Sequence, residues 1–265
     1  MDITSVQNPR IKQFVKLRDD KRQRRLEAMM LVEGWDEISL AIEAGYRPQT
    51  LLVAPELTDR RSSGISSEII TVTRSVFKKI SFRENPDGWL AVIPTPHKTL
   101  KDLKLNPIPF FIIAESIEKP GNLGAIMRTA DAAAVDALLV CDTRTDIYNH
   151  NVVRSSRGTL FTVPTIEVSN SDAYTFLRDH RVSIISTTPQ ADAIYTQQNL
   201  NGPIAIAVGT EDRGLSDFWM QKADLKVKIP MAGKVNSLNV SIATALIVYE
   251  VVRQRGNKIK LETGF

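Results

Sequence analysis

Three short stretches of this chain carry residue types that can do chemistry. The first is Glu118-Lys119-Pro120-Gly121-Asn122-Leu123-Gly124-Ala125-Ile126-Met127-Arg128-Thr129-Ala130, which follows an apolar run ending at Ala114. Pro120-Gly121 marks a turn, Asn122 suits an N-cap, and Leu123, Ile126, Met127 and Ala130 recur at helical spacing. Arg128 falls one position past Met127, at the margin of that apolar face; an ordinary surface arginine has the same appearance. The second stretch is Val208-Gly209-Thr210-Glu211-Asp212-Arg213-Gly214-Leu215. Gly209 and Gly214 have the Gly-x4-Gly spacing of a phosphate loop, but Leu215 and Ser216 follow where a lysine is required, so that loop is rejected. The glycines still permit close backbone approach to a ligand, and Glu211 puts a carboxylate at a strand tip. A hairpin-like turn with an exposed acid explains the same residues. The third stretch, Ile229-Pro230-Met231 and then Asn236-Ser237-Leu238-Asn239-Val240-Ser241, ends a strand and opens an apolar helix. Capping alone accounts for Ser237 and Asn239.

Composition removes several classes. The 265 residues are 43% hydrophobic, enough for one large domain or two modest ones. No run approaches the roughly 20 apolar residues of a membrane span, and the first residues, with Asp2, Arg10 and Lys12, hold no signal-peptide core. One cysteine, Cys141, leaves no internal disulfide, and three scattered histidines (His97, His150, His180) exclude a zinc cluster, so no metal is expected. No Gly-x-Gly-x-x-Gly occurs, against a dinucleotide site. The chain reads as soluble and cytoplasmic. Its net charge of +4 is uneven: Arg10 to Arg25 holds eight basic residues (Arg10, Lys12, Lys16, Arg18, Lys21, Arg22, Arg24, Arg25) against Asp19 and Asp20. Such density reads as a phosphate-binding surface or as a solvated helix face. A smaller cluster, Arg253, Arg255, Lys258 and Lys260, lies near the C-terminus.

The elements that must position these residues fall into two α/β regions. Four of the thirteen prolines (Pro94, Pro96, Pro107, Pro109) cluster between Ile93 and Phe110 and predict a boundary. Domains are expected at 1–97 and 110–265, joined by a Pro-rich linker at 98–109. In the first, helix is expected over Asn8–Met30, Trp35–Ala44 and Ser75–Ile80, with strands at Met30–Glu33, Thr50–Ala54, Ile69–Val72 and Trp89–Ile93. In the second, apolar strands at Phe110–Ala114, Ala137–Cys141, Val163–Val168, Val182–Thr187, Ile204–Val208 and Lys226–Ile229 alternate with helices near Leu123–Ala134, Asn170–Asp179, Ser216–Lys222 and Val240–Arg253. Strands apolar throughout and spaced by helices argue for a parallel sheet covered on both faces. Ligands of such sheets sit beyond the carboxyl ends of the strands, which is where the three stretches fall.

Taken in order, Asn-x-Gly-x-x-x-Arg-Thr-Ala, Gly-x-Glu-x-x-Gly-Leu, and Ile-Pro-Met with Ser-Leu-Asn-Val-Ser closely resemble the SpoU (TrmH-like) branch of the SPOUT RNA methyltransferases. The resemblance covers Phe110 to about Arg255. Gln7-Asn8-Pro9-Arg10-Ile11-Lys12, Leu31-Val32-Glu33-Gly34 and Gly88-Trp89-Leu90-Ala91-Val92 resemble the ribosomal-protein-like substrate-binding domain that some of these enzymes carry. The resemblance implies methyl transfer from S-adenosylmethionine to a ribose 2′-hydroxyl of RNA, with ribosomal RNA favoured over tRNA. It also implies a deep trefoil knot in the parallel-sheet domain, and a homodimer. Arg128 would be catalytic, with Glu211, Ser237, Asn239 and Asn122 positioning it and the substrate. The cofactor would meet backbone near Thr187, Gly209, Ile229 and Leu238. In that setting Arg10, Lys12, Arg22, Arg24 and Arg25 become RNA contacts.

The chain departs from the family pattern in two places. Glu118-Lys119 precedes Pro120 where an acid is usual, and Ala132-Ala133-Ala134-Val135 ends the first motif helix where a bulkier residue and a glycine are usual. Two other readings compete with rRNA methylation: a tRNA 2′-O-methyltransferase, and a non-catalytic RNA-binding protein of ribosome assembly.

Overall fold

In the computed structural model, residues 2–59, 67–210 and 212–256 are described. Contacts divide the chain into two units: Met1–His97 with Lys119–Arg128 and Thr145–Thr162, and Lys98–Glu118 with Thr129–Arg144 and Val163–Phe265.

The first unit holds β1 (Asp2–Ile3), α1 (Pro9–Asp19), α2 (Lys21–Glu27), β2 (Met29–Glu33), α3 (Trp35–Glu43), β3 (Thr50–Val53), β4 (Glu68–Val72), α4 (Arg74–Ile80) and β5 (Trp89–Pro94). Its sheet runs β1-β4-β3-β5-β2 and is mixed, with β5 antiparallel to both neighbours. The single helix expected over Asn8–Met30 is two. Asp20 takes an extended conformation (φ −107°) and accepts hydrogen bonds from the amides of Arg22 (2.7 Å) and Gln23 (3.4 Å), stopping α1 and capping α2. Ile11, Phe14 and Leu17, on the buried stripe of α1, join Leu52, Ile70 and Phe77 in the core.

The second unit is built on β6 (Phe110–Glu115), followed by α5 (Pro120–Ala132), whose residues to Arg128 cluster with the first unit. After β7 (Ala137–Cys141), α6 (His150–Ser156) and α7 (Thr159–Thr162) also cluster with the first unit. Then come β8 (Thr165–Val168), α8 (Asn170–Asp179), β9 (Ser183–Thr187), β10 (Ala193–Ile194), β11 (Ile204–Val208), α9 (Asp217–Lys222), β12 (Leu225–Lys228) and α10 (Val240–Gln254). The seven strands run β10-β12-β9-β11-β6-β7-β8, every pair parallel, in keeping with the apolar runs of the central β11, β6 and β7. Phe111, Ile113, Leu139, Ile184, Ala205 and Trp219 form part of its core. The stretch 98–109 does more than connect. Leu100, Leu103 and Leu105 pack against this core, and Asp136 accepts from the amides of Asn106 and Phe110, both at 2.8 Å. Proline forbids a regular ladder there but does not prevent burial.

Cys141 closes β7 opposite Glu115. Its thiol is fully buried and pushed up to about 12, mainly by burial, with Glu115 and Asp142 adding to the effect.

Helix α5 ends with Val135 N–H donating to Ala130 C=O (2.9 Å) while Ala134 sits at φ +51°. That is a left-handed helix end, where glycine is unstrained and alanine is not. The departure from the family pattern noted at this position therefore has a local cost. Ala134→Gly is expected to raise unfolding free energy by about 0.5–1 kcal/mol, the relieved strain less the added unfolded-state entropy. Denaturant unfolding at equilibrium measures it, and an unchanged or lower midpoint contradicts it.

Candidate active site

Beyond the carboxyl ends of β9, β11 and β12, the second unit opens a cavity of about 400 Å³, within the ordinary range of small-molecule sites. Each wall begins where a strand stops. Thr187 ends β9 and donates from Oγ1 to the carbonyl of Ala207 (2.9 Å), tying that tip to β11. After β11, Thr210 and Gly214 exchange backbone hydrogen bonds at 3.0 and 2.9 Å, so the chain folds back on itself at once. The fold-back fixes the identity of Gly209: a Cβ there would lie 2.1 Å from the carbonyl oxygen of Gly214. Ile229 and Met231 follow β12, while Leu238 and the first turns of α10, through Val240, Ala243 and Ile247, complete the lining.

Among the described lining residues only Asp212 and Arg213 are charged, and their side chains are 76% and 90% exposed. The Asp212 carboxyl is held below its ordinary range, chiefly by its own backbone amide and by the Thr210 hydroxyl. The deeper wall is apolar side chain and main chain, which suits an adenine ring with donors and acceptors but no charge.

Thr187, Gly209, Ile229, Leu238 and Ser237 all line this one cavity. Asn239 stands next to it as the N-cap of α10, its Oδ1 accepting from the amide (3.0 Å) and hydroxyl (2.6 Å) of Ser241. Glu211 lies outside the described residues.

Asn122 and Arg128 belong to the part of α5 that clusters with the first unit. The helix begins at Pro120, so Asn122 lies within its first turn and is not the N-cap. Proline is preorganised for the first helical position, and its presence moves the start of the helix forward. Gly124 is where α6 crosses: a Cβ would fall 2.0 Å from the Ser155 hydroxyl, which also donates to the carbonyl of Pro120 (3.1 Å). Arg128 lies one turn further along the helix and is exposed. Its guanidinium makes no ion pair or side-chain hydrogen bond among the described residues.

The basic segment divides into two kinds of residue. Arg24 is not an RNA contact. It is 3% exposed, pairs with Asp146 through Nε (2.9 Å) and Nη2 (2.6 Å), and donates Nη1 to the carbonyls of Leu17 (2.9 Å) and Arg18 (2.6 Å). Charge density alone did not separate a buried, five-donor guanidinium from its solvated neighbours. Arg10 is partly exposed and bidentate to Glu68 (2.7 and 2.5 Å), whereas Lys12, Arg22 and Arg25 face solvent. In the C-terminal cluster, Arg255 donates to the carbonyls of Ile108, Pro109 and Gly202 and lies 5.0 Å over the Phe110 ring, so it too is structural. Lys258 and Lys260 lie outside the described residues. The sequence did not single out Arg154 and Arg157, exposed on and just after α6 with no ion pair among the described residues. They lie outside all three motifs. Among the described residues no group of three His, Cys, Asp or Glu is placed to hold a metal, and no helix is long and apolar enough to cross a membrane.

Comparison with known proteins accords with this geometry. Residues 109–249 match the SpoU rRNA Methylase family, and residues 8–91 match the MRM3-like substrate binding domain. The chain is 30% identical over 268 residues to the 23S rRNA (uridine(2479)-2′-O)-methyltransferase of Streptomyces viridochromogenes, covering 96% of this chain and 92% of that protein. It is 39% identical over 151 residues to the 23S rRNA (guanosine-2′-O-)-methyltransferase RlmB of Yersinia pestis; that match spans 57% of this chain and 61% of the relative, less than two thirds of its length. Among solved structures, the SpoU methyltransferase AviRb from Streptomyces viridochromogenes in complex with AdoMet superimposes with a TM-score of 0.87 at 28% identity, covering 95% of this chain and 99% of that one. A parallel sheet with a nucleoside-sized cavity at its strand tips, in this company, places the chain in the class of S-adenosylmethionine-dependent RNA 2′-O-methyltransferases. Within that class the chain belongs to the SpoU rRNA methylase family.

Gly209→Ala tests whether the fold-back shapes the cofactor site. The added methyl cannot coexist with the Gly214 carbonyl, so affinity for S-adenosylmethionine is expected to fall at least about tenfold by calorimetry. Wild-type affinity in the variant would show that the loop does not shape the cavity.

Proposed function

We propose that this chain methylates a ribose 2′-hydroxyl of ribosomal RNA. The observation that carries the reading is the convergence of Thr187, Gly209, Ile229, Ser237 and Leu238, from four separate segments, on one cavity whose deeper wall is apolar side chain and main chain. S-adenosylmethionine, held there, supplies an electrophilic methyl group. The ribose hydroxyl is a poor nucleophile, so the chain must orient it and stabilise the negative charge that grows on its oxygen. Arg128 is assigned that role. A guanidinium stays protonated, so it acts as hydrogen-bond donor and cation rather than as a base. The family resemblance alone assigns Glu211 to orienting it, since a carboxylate can hold a guanidinium bidentately. The same resemblance assigns Asn122, Ser237 and Asn239 to positioning the ribose.

Residues 1–97 form the RNA-binding domain in this reading, joined through 98–109 to the methyltransferase domain at 110–265. Lys12, Arg22 and Arg25 face solvent there and are assigned to RNA phosphates, with Arg10 available once it leaves Glu68. The methyltransferase domain carries the trefoil knot of its family. It pairs with a second copy through α10, where Ile242, Leu246 and Tyr249 are 53%, 39% and 45% exposed along one helical stripe, a pattern that favours a covered face. The reading assigns the enzyme to the cytoplasm.

Incubation with methyl-tritiated S-adenosylmethionine and unmodified ribosomal RNA tests the reaction, the product being one nucleotide step resistant to alkali. Arg128→Ala is expected to lower transfer at least about a hundredfold while cofactor affinity stays at the wild-type level. Label in tRNA alone, or none with the wild-type protein, overturns the proposal. Arg22→Ala combined with Arg25→Ala is expected to weaken RNA binding and lower the slope of log affinity against log salt by about 1–2. An unchanged slope removes these residues from the RNA surface.

A further inference from the structure

We propose that Glu115 is a positioning residue for the cofactor cavity, acting through Ser216; the inference rests on the reading of that cavity as the S-adenosylmethionine site. Glu115 is the last residue of β6 and is 3% exposed. Three donors converge on its carboxylate. Oε1 accepts from Asn170 Nδ2 (2.9 Å) and Ser216 Oγ (2.6 Å), and Oε2 accepts from the Ser216 amide (2.7 Å). No cation among the described residues pairs with it, so these hydrogen bonds are what offset its burial.

Ser216 directly follows Leu215, the last residue of the loop that forms one wall of the cavity. At the other end of that loop, Val208 of β11 lies in register with Ala114 of β6. Both ends of the loop are therefore fastened to adjacent residues of one strand, Ala114 by the ladder and Glu115 by its side chain. Gly209 and Thr210 leave that short base and Gly214 and Leu215 return to it, the two arms joined by the Thr210–Gly214 backbone pair. A second tie supports the return. Asn170 Oδ1 accepts from Trp219 Nε1 (2.9 Å), and the Trp219 carbonyl accepts from Ser186 Oγ (2.9 Å), so α9 is anchored to β9 as well.

Glu115→Gln keeps the shape but turns an amide NH₂ toward donors, so the Ser216 end of the loop is released. Calorimetry with S-adenosylhomocysteine is expected to show about tenfold weaker binding, and steady-state kinetics a matching rise in KM for S-adenosylmethionine with kcat and the KM for RNA unchanged. Ser216→Ala, which keeps the amide hydrogen bond, is expected to give a smaller loss, about threefold, and Ser216→Thr wild-type binding. In the double variant the two losses are expected not to add. A Glu115→Gln protein that melts lower yet binds S-adenosylhomocysteine with wild-type affinity, or one whose loss falls on kcat or on RNA, overturns the proposal. Absence of binding by the wild-type protein would instead overturn the cofactor reading of the cavity.

Discussion

The site depends on one placement: β11 between β6 and β9, parallel to both. Ile204 to Val208 are all buried, with Ile204 opposite both Phe110 and Ser183, and Val208 opposite Ala114. A strand covered on both faces must be aliphatic, and a parallel ladder brings the carboxyl ends of its neighbours to one edge of the sheet. Thr187, Gly209 and Ile229 are distant in the chain, but each stands at or just past a strand end on that edge. Register sets where the cavity lies, and Gly209 with the Thr210–Gly214 fold-back shapes its wall.

The second organising element is the use of charged and polar side chains as internal fasteners. Arg24 holds Asp146 and two carbonyls, Arg18 donates to the carbonyls of Lys79, Ile80 and Ser81 at the end of α4, and Arg255 holds three more. A guanidinium suits this work because its five donors can bridge several acceptors while the aliphatic stem packs. Asp136 and Glu115 do the complementary work for backbone amides in the second unit. The solvated cations of the first helices are what is left once these are set aside.

Much of the parallel sheet was legible because β6, β7 and β11 are almost wholly apolar, and the lining of the cavity because residues of the second and third motifs fall at strand ends. Other features were hidden for physical reasons. Helices α6 and α7 are too short, and too rich in Ser, Thr and Val, for a 3.6-residue period to emerge. The break at Asp20 was masked by basic residues on either side, although an aspartate before a helical run is itself a capping signal. Burial of Arg24 depends on Asp146, a partner 122 residues away that no local pattern reveals. The leucines at 100, 103 and 105 were overshadowed by the prolines around them. Asn239 and Ala134 were noticed for their type, but only the structure gives the hydrogen bond of the one and the left-handed backbone of the other.

The buried thiol at the end of β7 bears on chemical selectivity. A bound sulfonium donor is an alkylating agent, and a thiolate is among the best acceptors a protein can offer it. The thiolate, not the thiol, is the reactive form, and with its ionisation pushed up to about 12, Cys141 is ionised in only about one molecule in 10⁵ near neutral pH. It is also closed to solvent. The one thiol in the chain is thus kept from competing with the weaker oxygen nucleophile of the ribose.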